Sequence, residues 1–254
     1  MLEKIKQIVR DAGEIILSAH SLSVTEKEGH ANFVTDMDVR VQQYLMNRLK
    51  NLYTDAQFIC EEKDNQQLTD AYTWIIDPVD GTTNLIYDFR LSAVSVALLL
   101  GQSPLYACVY NPFTGEMFSA ARGEGAFLND MRIHASGRQL EKALVCIGTS
   151  PYNPELRDKS MAIASEFLRC AADIRRTGSA ALDLAYVACG RADVFFELLL
   201  KPWDFAGGAL ILQEAGGVFD MPGLDRIDYS RTTAILAANK ECFDKAKTIV
   251  ADRI

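Results

Sequence analysis

The sequence has no C-x-x-C pair, and its six cysteines, Cys60, Cys108, Cys146, Cys170, Cys189 and Cys242, are scattered. That spacing argues against both a structural zinc site and a disulfide framework, and makes the reducing cytoplasm the expected home. Histidine is equally sparse: His20, His30 and His134 lie far apart without metal-ligand spacing. Long apolar runs are missing too. The longest, Ala93 to Leu100, is interrupted by Ser95 and is too short to span a bilayer. Glu3, Asp11 and Glu14 break the opening segment, which therefore lacks the apolar core of a signal peptide. Positive charge is in deficit, with 26 Lys and Arg against 34 Asp and Glu and a formal net charge of -8. The summed field repels nucleic acid and anionic lipid, so autonomous nucleic-acid binding is not expected, and an anionic substrate would need local cations.

What is present is an ordinary globular composition, 49% hydrophobic and 24% charged, with only seven prolines, no biased tract and no internal repeat. A chain of 254 residues can bury a substantial core without a metal or disulfide scaffold. Apolar residues at Leu2, Ile5, Ile8, Val9, Ala12, Ile15, Ile16 and Ala19 predict an opening amphipathic helix, and Val41, Leu45, Leu49 and Leu52 a second from about Met37. Strands are then predicted at Gln57 to Cys60, Thr73 to Asp77, Ser92 to Leu100, Leu105 to Asn111 and Glu116 to Ala121, the last two joined as a hairpin by NPFTGE. The later half alternates. Strands near 143–148, 173–177, 192–197, 218 and 234–237 are interleaved with helices at 156–170, 179–189, 204–215 and after Asn239. Helices, then antiparallel strands, then alternating units predict layered sheets and helices.

The strongest chemical signal is WIIDPVDGTTN, Trp74 to Asn84. An apolar strand delivers Asp77, Pro78 bends the chain, Asp80 follows, and Gly81-Thr82-Thr83 open a short helix. Apposed carboxylates repel unless a cation joins them, and hard divalent ions such as Mg²⁺ prefer oxygen ligands. Free amides at a helix start attract phosphate. Alone, the segment reads equally well as a helix cap and Asx-turn. Two further acidic features shift the balance: FICEE ends a strand at Glu61 and Glu62, and KPWDFAGG places Asp204 at a helix start behind Trp203. Such carboxylates in α/β folds collect at one crevice. Of the adjacent pair only Glu61 is assigned to it, because neighbouring residues on a strand face opposite ways.

The ordered pieces VTDMD (Val34 to Asp38), EE (Glu61, Glu62), DPVDGTTN (Asp77 to Asn84), GEGAFLN (Gly123 to Asn129), GSAALDLAYVACGRAD (Gly178 to Asp193), ELLLKPWDFAGG (Glu197 to Gly208) and EAGG (Glu214 to Gly217) resemble the inositol monophosphatase family. The resemblance implies an α+β fold, a layered αβαβα sandwich of the sugar phosphatase type. One domain is expected over 1–254, with a metal and phosphate half at 1–140 and a substrate half at 141–254. It further implies a cytoplasmic, lithium-sensitive homodimer that uses two or three Mg²⁺ ions to hydrolyse a phosphate monoester, most readily myo-inositol monophosphate. Carried over residue by residue, Glu61, Asp77 and the Val79 carbonyl hold one ion, Asp77, Asp80 and Asp204 a second, and Glu61 touches a weaker third. Asp38, Glu61 and Thr82 take the catalytic roles, with Thr82 hydrogen-bonded to Asp38 to orient or deprotonate a water. The amides of Gly81, Thr82 and Thr83 cradle the phosphate. Gly178, Ser179 and Ala180 line the sugar pocket, Glu197 binds hydroxyls, and Asp204 serves metal and substrate. Lys27 loosely matches a loop lysine near the metals.

Some positions depart from the commoner family pattern: Leu85 for Phe, Tyr87 for His, Arg90 for Pro and Cys60 for Gly. They leave the metal ligands intact but bear on substrate identity, and an exposed Cys60 would invite oxidation. Arg175 and Arg176 beside Gly178 could meet a second phosphate or a neighbouring subunit, although paired arginines are more often plain surface charge. Gly123 and Gly125 read as turn glycines, Trp203 as a packing anchor for Asp204, and Ala180 to Ala188 as helix core. Fructose 1,6-bisphosphatase, 3'-phosphoadenosine nucleotide phosphatase and NADP phosphatase activities stay open within the same chemistry. A regulatory protein working through protein or RNA contacts is the alternative of a different class.

Overall fold

The structure is a computed structural model that describes residues 1–19, 22–26, 33–63, 67–151, 153–251 and 253. Lys27, His20 and His30 lie outside the described residues. In chain order the elements are α1 (Leu2–Leu17), β1 (Val24–Glu26), β2 (Phe33–Thr35), α2 (Asp36–Leu49), β3 (Gln57–Cys60), β4 (Tyr72–Asp80), α3 (Thr82–Ile86), β5 (Ala93–Leu100), β6 (Ser103–Asn111), β7 (Glu116–Ala121), β8 (Gly125–Leu128) and β9 (Met131–Ile133). After a 3₁₀ turn at Leu140–Lys142 come β10 (Leu144–Ile147), α4 (Pro154–Cys170), β11 (Asp173–Arg175), α5 (Ala180–Ala188), β12 (Val194–Leu200), α6 (Pro202–Glu214), β13 (Val218–Asp220), β14 (Thr233–Ala238) and α7 (Lys240–Ala251).

The strands from β3 to β9 form a seven-stranded sheet in sequence order, and a second, five-stranded sheet runs β11-β10-β12-β14-β13. The first sheet is antiparallel except where β3 runs parallel to β4. Strand alternation builds the layers. On β4, Trp74 and Ile76 point into a core shared with α1 and α2, while Ile75 points into a core shared with α5 and α6. On β5, Val94, Val96 and Leu98 face the first core and Ala93, Ala97 and Leu99 the second. Both faces being covered explains why these strands read as continuous apolar runs. A third core joins α4 and α7 to the outer face of the second sheet through Phe167, Phe196 and Val250. The order is therefore helices, sheet, helices, sheet, helices: the layered αβαβα sandwich that the motifs imply.

Small elements escaped the sequence pattern. β1, β2 and β9 have three residues each, too few for alternation to register. The GEG turn has a clear structural role, because the Gly123 and Gly125 amides donate to the two carboxylate oxygens of Glu214 at 2.8 and 2.9 Å. Asp193, fully buried, accepts from the Leu144 amide at 2.8 Å, from Arg138 Nε at 3.0 Å and from Asn239 Nδ2 at 3.1 Å. It thereby ties β10, the turn before β12 and the start of α7 together.

The middle helical layer is close-packed on glycine. A Cβ on Gly208 would lie 2.5 Å from Leu184 Cβ on α5, and one on Gly207 would lie 2.7 Å from Ser95 Oγ on β5. The sequence FAGG is thus what lets α6, and Asp204 at its start, sit between the sheets. Gly208→Ala should lower unfolding stability by about 1–3 kcal/mol, read from the midpoint of chemical denaturation, because neither packed helix can yield by the required amount. An unchanged midpoint would show that α5 and α6 are free to separate.

Candidate active site

The site begins with a register. β3 pairs with β4 so that Cys60 lies opposite Ile76; the next residues are Glu61, in the turn after β3, and Asp77, still on β4 opposite Ser95 of β5. Residues 77 and 80 on a regular strand would face opposite ways. Here the pairing of β4 with β5 shifts between Asp77 and Asp80, at Pro78 and Val79. The irregularity turns both carboxylates toward one cavity, a use to which strand bulges are well suited. β4 therefore continues through Asp80, beyond the end at Asp77 that the sequence predicts. Asp204 arrives from the other sheet, in the first turn of α6, where its Oδ2 accepts the Lys201 amide at 2.7 Å.

These side chains border a cavity of about 910 Å³ that residues of both sheets line. Glu61, Asp77, Val79, Asp80, Asp204, Gly81, Thr82, Thr83, Gly178, Ser179, Ala180 and Glu197 all line it. Asp38 does not. It is fully buried behind Thr82, whose hydroxyl lies 3.0 Å from Asp38 Oδ1 and 3.1 Å from the Val79 carbonyl. The other oxygen of Asp38 accepts the Thr35 amide at 2.8 Å, completing a capping box at the start of α2. The expected Thr82–Asp38 hydrogen bond is present, and Asp38 is also a structural cap.

Electrostatically the cluster is under stress. Burial, then repulsion by Glu61, Asp80 and Asp204, pushes the Asp77 carboxyl well above the ordinary carboxylate range. Burial and the charges of Asp80 and Glu61 do the same to Asp204. Asp80 is pushed up to about 6 by burial, offset by the Ser179 hydroxyl and by the amides of Ala181 and Ala180. Among the described residues no Lys, Arg or His forms an ion pair with Asp77, Asp80 or Asp204. A set of hard oxygen donors whose like charges repel one another at close range fits a divalent ion of the Mg²⁺ kind.

Glu62 needs a correction. Glu61 and Glu62 follow the end of β3 in a turn, so strand alternation no longer separates them, and both line the cavity. Asp38, Glu61 and Glu62 each bring a ligand oxygen within 4.8 Å of the others. The Glu62 main chain is fixed by Gln42, whose side chain accepts its amide at 3.0 Å and donates to its carbonyl at 2.9 Å.

The two halves of the site are latched. Asn84 Nδ2 donates to the carbonyls of Leu91 at 2.7 Å and Thr177 at 2.8 Å. A Cβ on Gly81, whose φ is +87°, would lie 2.9 Å from the Leu91 carbonyl and 3.2 Å from that of Gly178. The Ser179 hydroxyl donates to Asp80, and the Ala181 amide donates to the same oxygen at 2.8 Å. Glu197 lies against Gly148 and accepts the Ser150 amide at 2.9 Å. Burial pushes its carboxyl up to about 7, against the opposing pull of the Ser150 amide and Arg176. Asn84 lies inside the quoted DPVDGTTN motif, so its type was visible and its role was not. Ser150 carried no signal, since only the fold brings it to Glu197.

The departures from the family pattern separate spatially. Leu85 is buried, whereas Tyr87 and Arg90 are exposed beside it. Cys60 is fully buried, so the oxidation that an exposed thiol would invite does not arise, and burial pushes its pKa up to about 12. A protonated, enclosed thiol is a poor nucleophile. In native protein, a thiol reagent should therefore modify the part-exposed Cys170 and Cys189 well before Cys60. Peptide mapping that found Cys60 labelled first would refute the packing of β3 described above.

A model of the inositol monophosphatase family matches residues 1–252. The putative Nus factor SuhB of Neisseria meningitidis serogroup B is 39% identical over 251 residues, covering 96% of this chain and 95% of that protein. Inositol monophosphatase 3 of Solanum lycopersicum is 38% identical over 250 residues, covering 94% and 93%. The crystal structure of the extragenic suppressor protein SuhB from Bartonella henselae superposes with a TM-score of 0.89 at 32% identity, covering 99% of this chain and 98% of that one. That of an IMPase/NADP phosphatase complexed with Mg²⁺ and phosphate does so with a TM-score of 0.84 at 25% identity, covering 96% and 90%.

Proposed function

The chain belongs to the inositol monophosphatase family, and from that premise we propose that it is a Mg²⁺-dependent phosphomonoesterase acting on a polyol or sugar phosphate, with myo-inositol monophosphate the first candidate. The observation that carries this reading is the convergence of Glu61, Asp77, Asp80 and Asp204, the last three in no ion pair with a Lys, Arg or His among the described residues, at the wall of one cavity that Gly81, Thr82 and Thr83 also line. The chain's two halves, 1–140 and 141–254, take the phosphate and the alcohol respectively. Family membership is also the ground for expecting a homodimer in the cytoplasm. Among the described residues no helix is long and apolar enough to cross a membrane.

In this reading Glu61, Asp77 and the Val79 carbonyl would hold one Mg²⁺, and Asp77, Asp80 and Asp204 a second, with Glu61 also able to serve a weaker third. When bound, these ions supply positive charge to the departing oxygen and acidify an attacking water. The chain's own groups do the remaining work. Thr82 Oγ1, between Asp38 Oδ1 and the Val79 carbonyl, orients the water and passes its proton toward Asp38. The amides of Gly81, Thr82 and Thr83 bind the phosphate oxygens. Ser179 and the Ala181 amide hold Asp80 in place, while Gly178, Ser179, Ala180 and Glu197 contact the alcohol. Glu62, brought beside Glu61 and Asp38, supports the same carboxylate wall.

The test is phosphate release across inositol, hexose and nucleotide phosphates in Mg²⁺, with Asp77→Asn alongside. This variant keeps the shape and removes the shared charge, so turnover should fall by roughly a hundredfold or more while circular dichroism stays native. A loss smaller than about tenfold would remove Asp77 from the centre of the mechanism. Lithium gives an independent check. Li⁺ is close to Mg²⁺ in size but carries half the charge, so it can enter a carboxylate cage without matching the activation. Millimolar Li⁺ should inhibit in a manner not competitive with substrate, and the fractional effect should shrink in Asp204→Asn. Purely competitive inhibition, or none, would count against the assignment of Asp204.

The Nus factor name carried by the Neisseria relative favours a second reading, in which the fold is kept and the protein regulates through protein or RNA contacts. Pull-downs with wild type and Asp77→Asn separate the two. Partners retained equally by both, in a protein without phosphatase activity, would support regulation alone.

A further inference from the structure

Asp183, in the first turn of α5, lines the cavity yet is buried, and its Oδ1 has no hydrogen-bond partner among the described residues. Its neighbours Ala181, Leu182, Leu184 and Ala185 are apolar core. A buried acceptor without a donor is destabilising, so an apolar residue would serve a plain helix core better. Burial pushes the carboxyl well above the ordinary carboxylate range, and the charges of Asp80 and Glu197 add to the push. The Thr177 hydroxyl and the Cys146 thiol, which lie against it, oppose that push. Both contacts lead to the alcohol side of the cavity. Thr177 opens the turn that carries Gly178 and Ser179: its hydroxyl accepts the Ser179 amide at 3.3 Å, and its carbonyl accepts Asn84 Nδ2 at 2.8 Å. Cys146 lies opposite Phe195 in the pairing of β10 with β12. Two residues further along the same face come Gly148 and Glu197, which lie against each other. From α5, Asp183 therefore reaches both the turn that presents Gly178 and Ser179 and the strand pair that presents Glu197.

We propose that Asp183 is a positioning residue for the alcohol half of the site: set between Thr177 and Cys146, it fixes the spacing between the Gly178 and Ser179 turn and Glu197, and with it the fit of a polyol. It acts through those two neighbours, because its own oxygen is enclosed. The Gly81, Thr82 and Thr83 amides sit at the start of α3, outside this frame. An ester whose alcohol carries no hydroxyls to place is accordingly much less sensitive to Asp183. The proposal rests on the phosphomonoesterase reading.

The experiment measures kcat and KM of wild type, Asp183→Ala, Asp183→Asn and Thr177→Val in Mg²⁺, on myo-inositol 1-phosphate and on p-nitrophenyl phosphate. Asp183→Ala should lose about tenfold in kcat/KM on the inositol ester, mostly through KM, and no more than about twofold on the nitrophenyl ester. Asp183→Asn, which keeps the shape and an oxygen toward Thr177, should recover most of the loss. Thr177→Val should reproduce the split and, joined to Asp183→Ala, should add little to it. Amide hydrogen exchange should quicken over residues 177–181 in Asp183→Ala and stay unchanged in α4. Equal losses on both esters, an Asn variant no better than Ala, or full additivity of the pair would make Asp183 an ordinary support of the fold and overturn the proposal. If Asp183→Ala does not fold, Thr177→Val carries the test, with the same split expected and equal losses overturning it. Absence of turnover of both esters by wild type strikes the phosphomonoesterase reading, and exchange over 177–181 still decides whether Asp183 fixes that turn: no quickening there overturns the proposal.

Discussion

Asp77, Asp80, Asp204 and Glu61 repel one another, and much of the surrounding architecture can be understood as what holds them together. The first two share a strand and reach the same cavity because β4 is irregular at Pro78 and Val79. Glu61 is delivered by the one parallel pairing in the larger sheet. Asp204 is delivered by α6, which reaches its position because Gly207 and Gly208 allow close approach to β5 and α5. Each device acts through the backbone, within a few residues of the charge it places. Burial then raises the energy of the ionised cluster until a divalent ion is the natural complement. Stability and function pull against each other here: the fold's packing energy holds a charge pattern that is unfavourable in the protein alone.

The reading and the relatives' names meet at an instructive point. Chains named inositol monophosphatase and chains named Nus factor are similar to this one at nearly equal identity, 38% and 39%. Overall similarity therefore does not separate catalysis from regulation. What bears on the choice is the state of the individual site, and here the carboxylates, the Thr82–Asp38 hydrogen bond and the polar cavity wall are all in place. A fold kept only as a binding surface would have no need of that arrangement.

The large features were legible in the sequence because they obey simple periodicities. The helices α1, α2, α4 and α7 carry one-sided apolar stripes, and β4 and β5 are apolar on both faces since helices cover both. The carboxylate positions followed from motif order. What stayed hidden depends on coordinates that periodicity does not encode. Strand alternation separated Glu61 from Glu62 only as long as both were taken to lie on β3, and the strand stops at Cys60. The exposure of Cys60 was open in the sequence, beside two glutamates, and is settled by its place as the last residue of a covered strand. Ser150, Gly148 and Asn84 acquire meaning only through partners far along the chain.

That last property has a consequence for biosynthesis. The contacts that close the site join residues separated by 93 positions, Asn84 to Thr177, and by 99, Asp80 to Ser179. A nascent chain that has emerged only through the seven-stranded sheet therefore carries Glu61, Asp77 and Asp80 without the groups that restrain them. Such long-range closure is slow relative to local helix and hairpin formation. Until the ribosome has released α5 and α6, the acidic strand ends remain in water, where their repulsion is screened and an ion gains little by binding. If the proposed Mg²⁺ site is used, metal capture would be tied to completion of synthesis: an interrupted or truncated product would lack the full ligand set, and Mg²⁺ would stabilise finished molecules in preference to fragments.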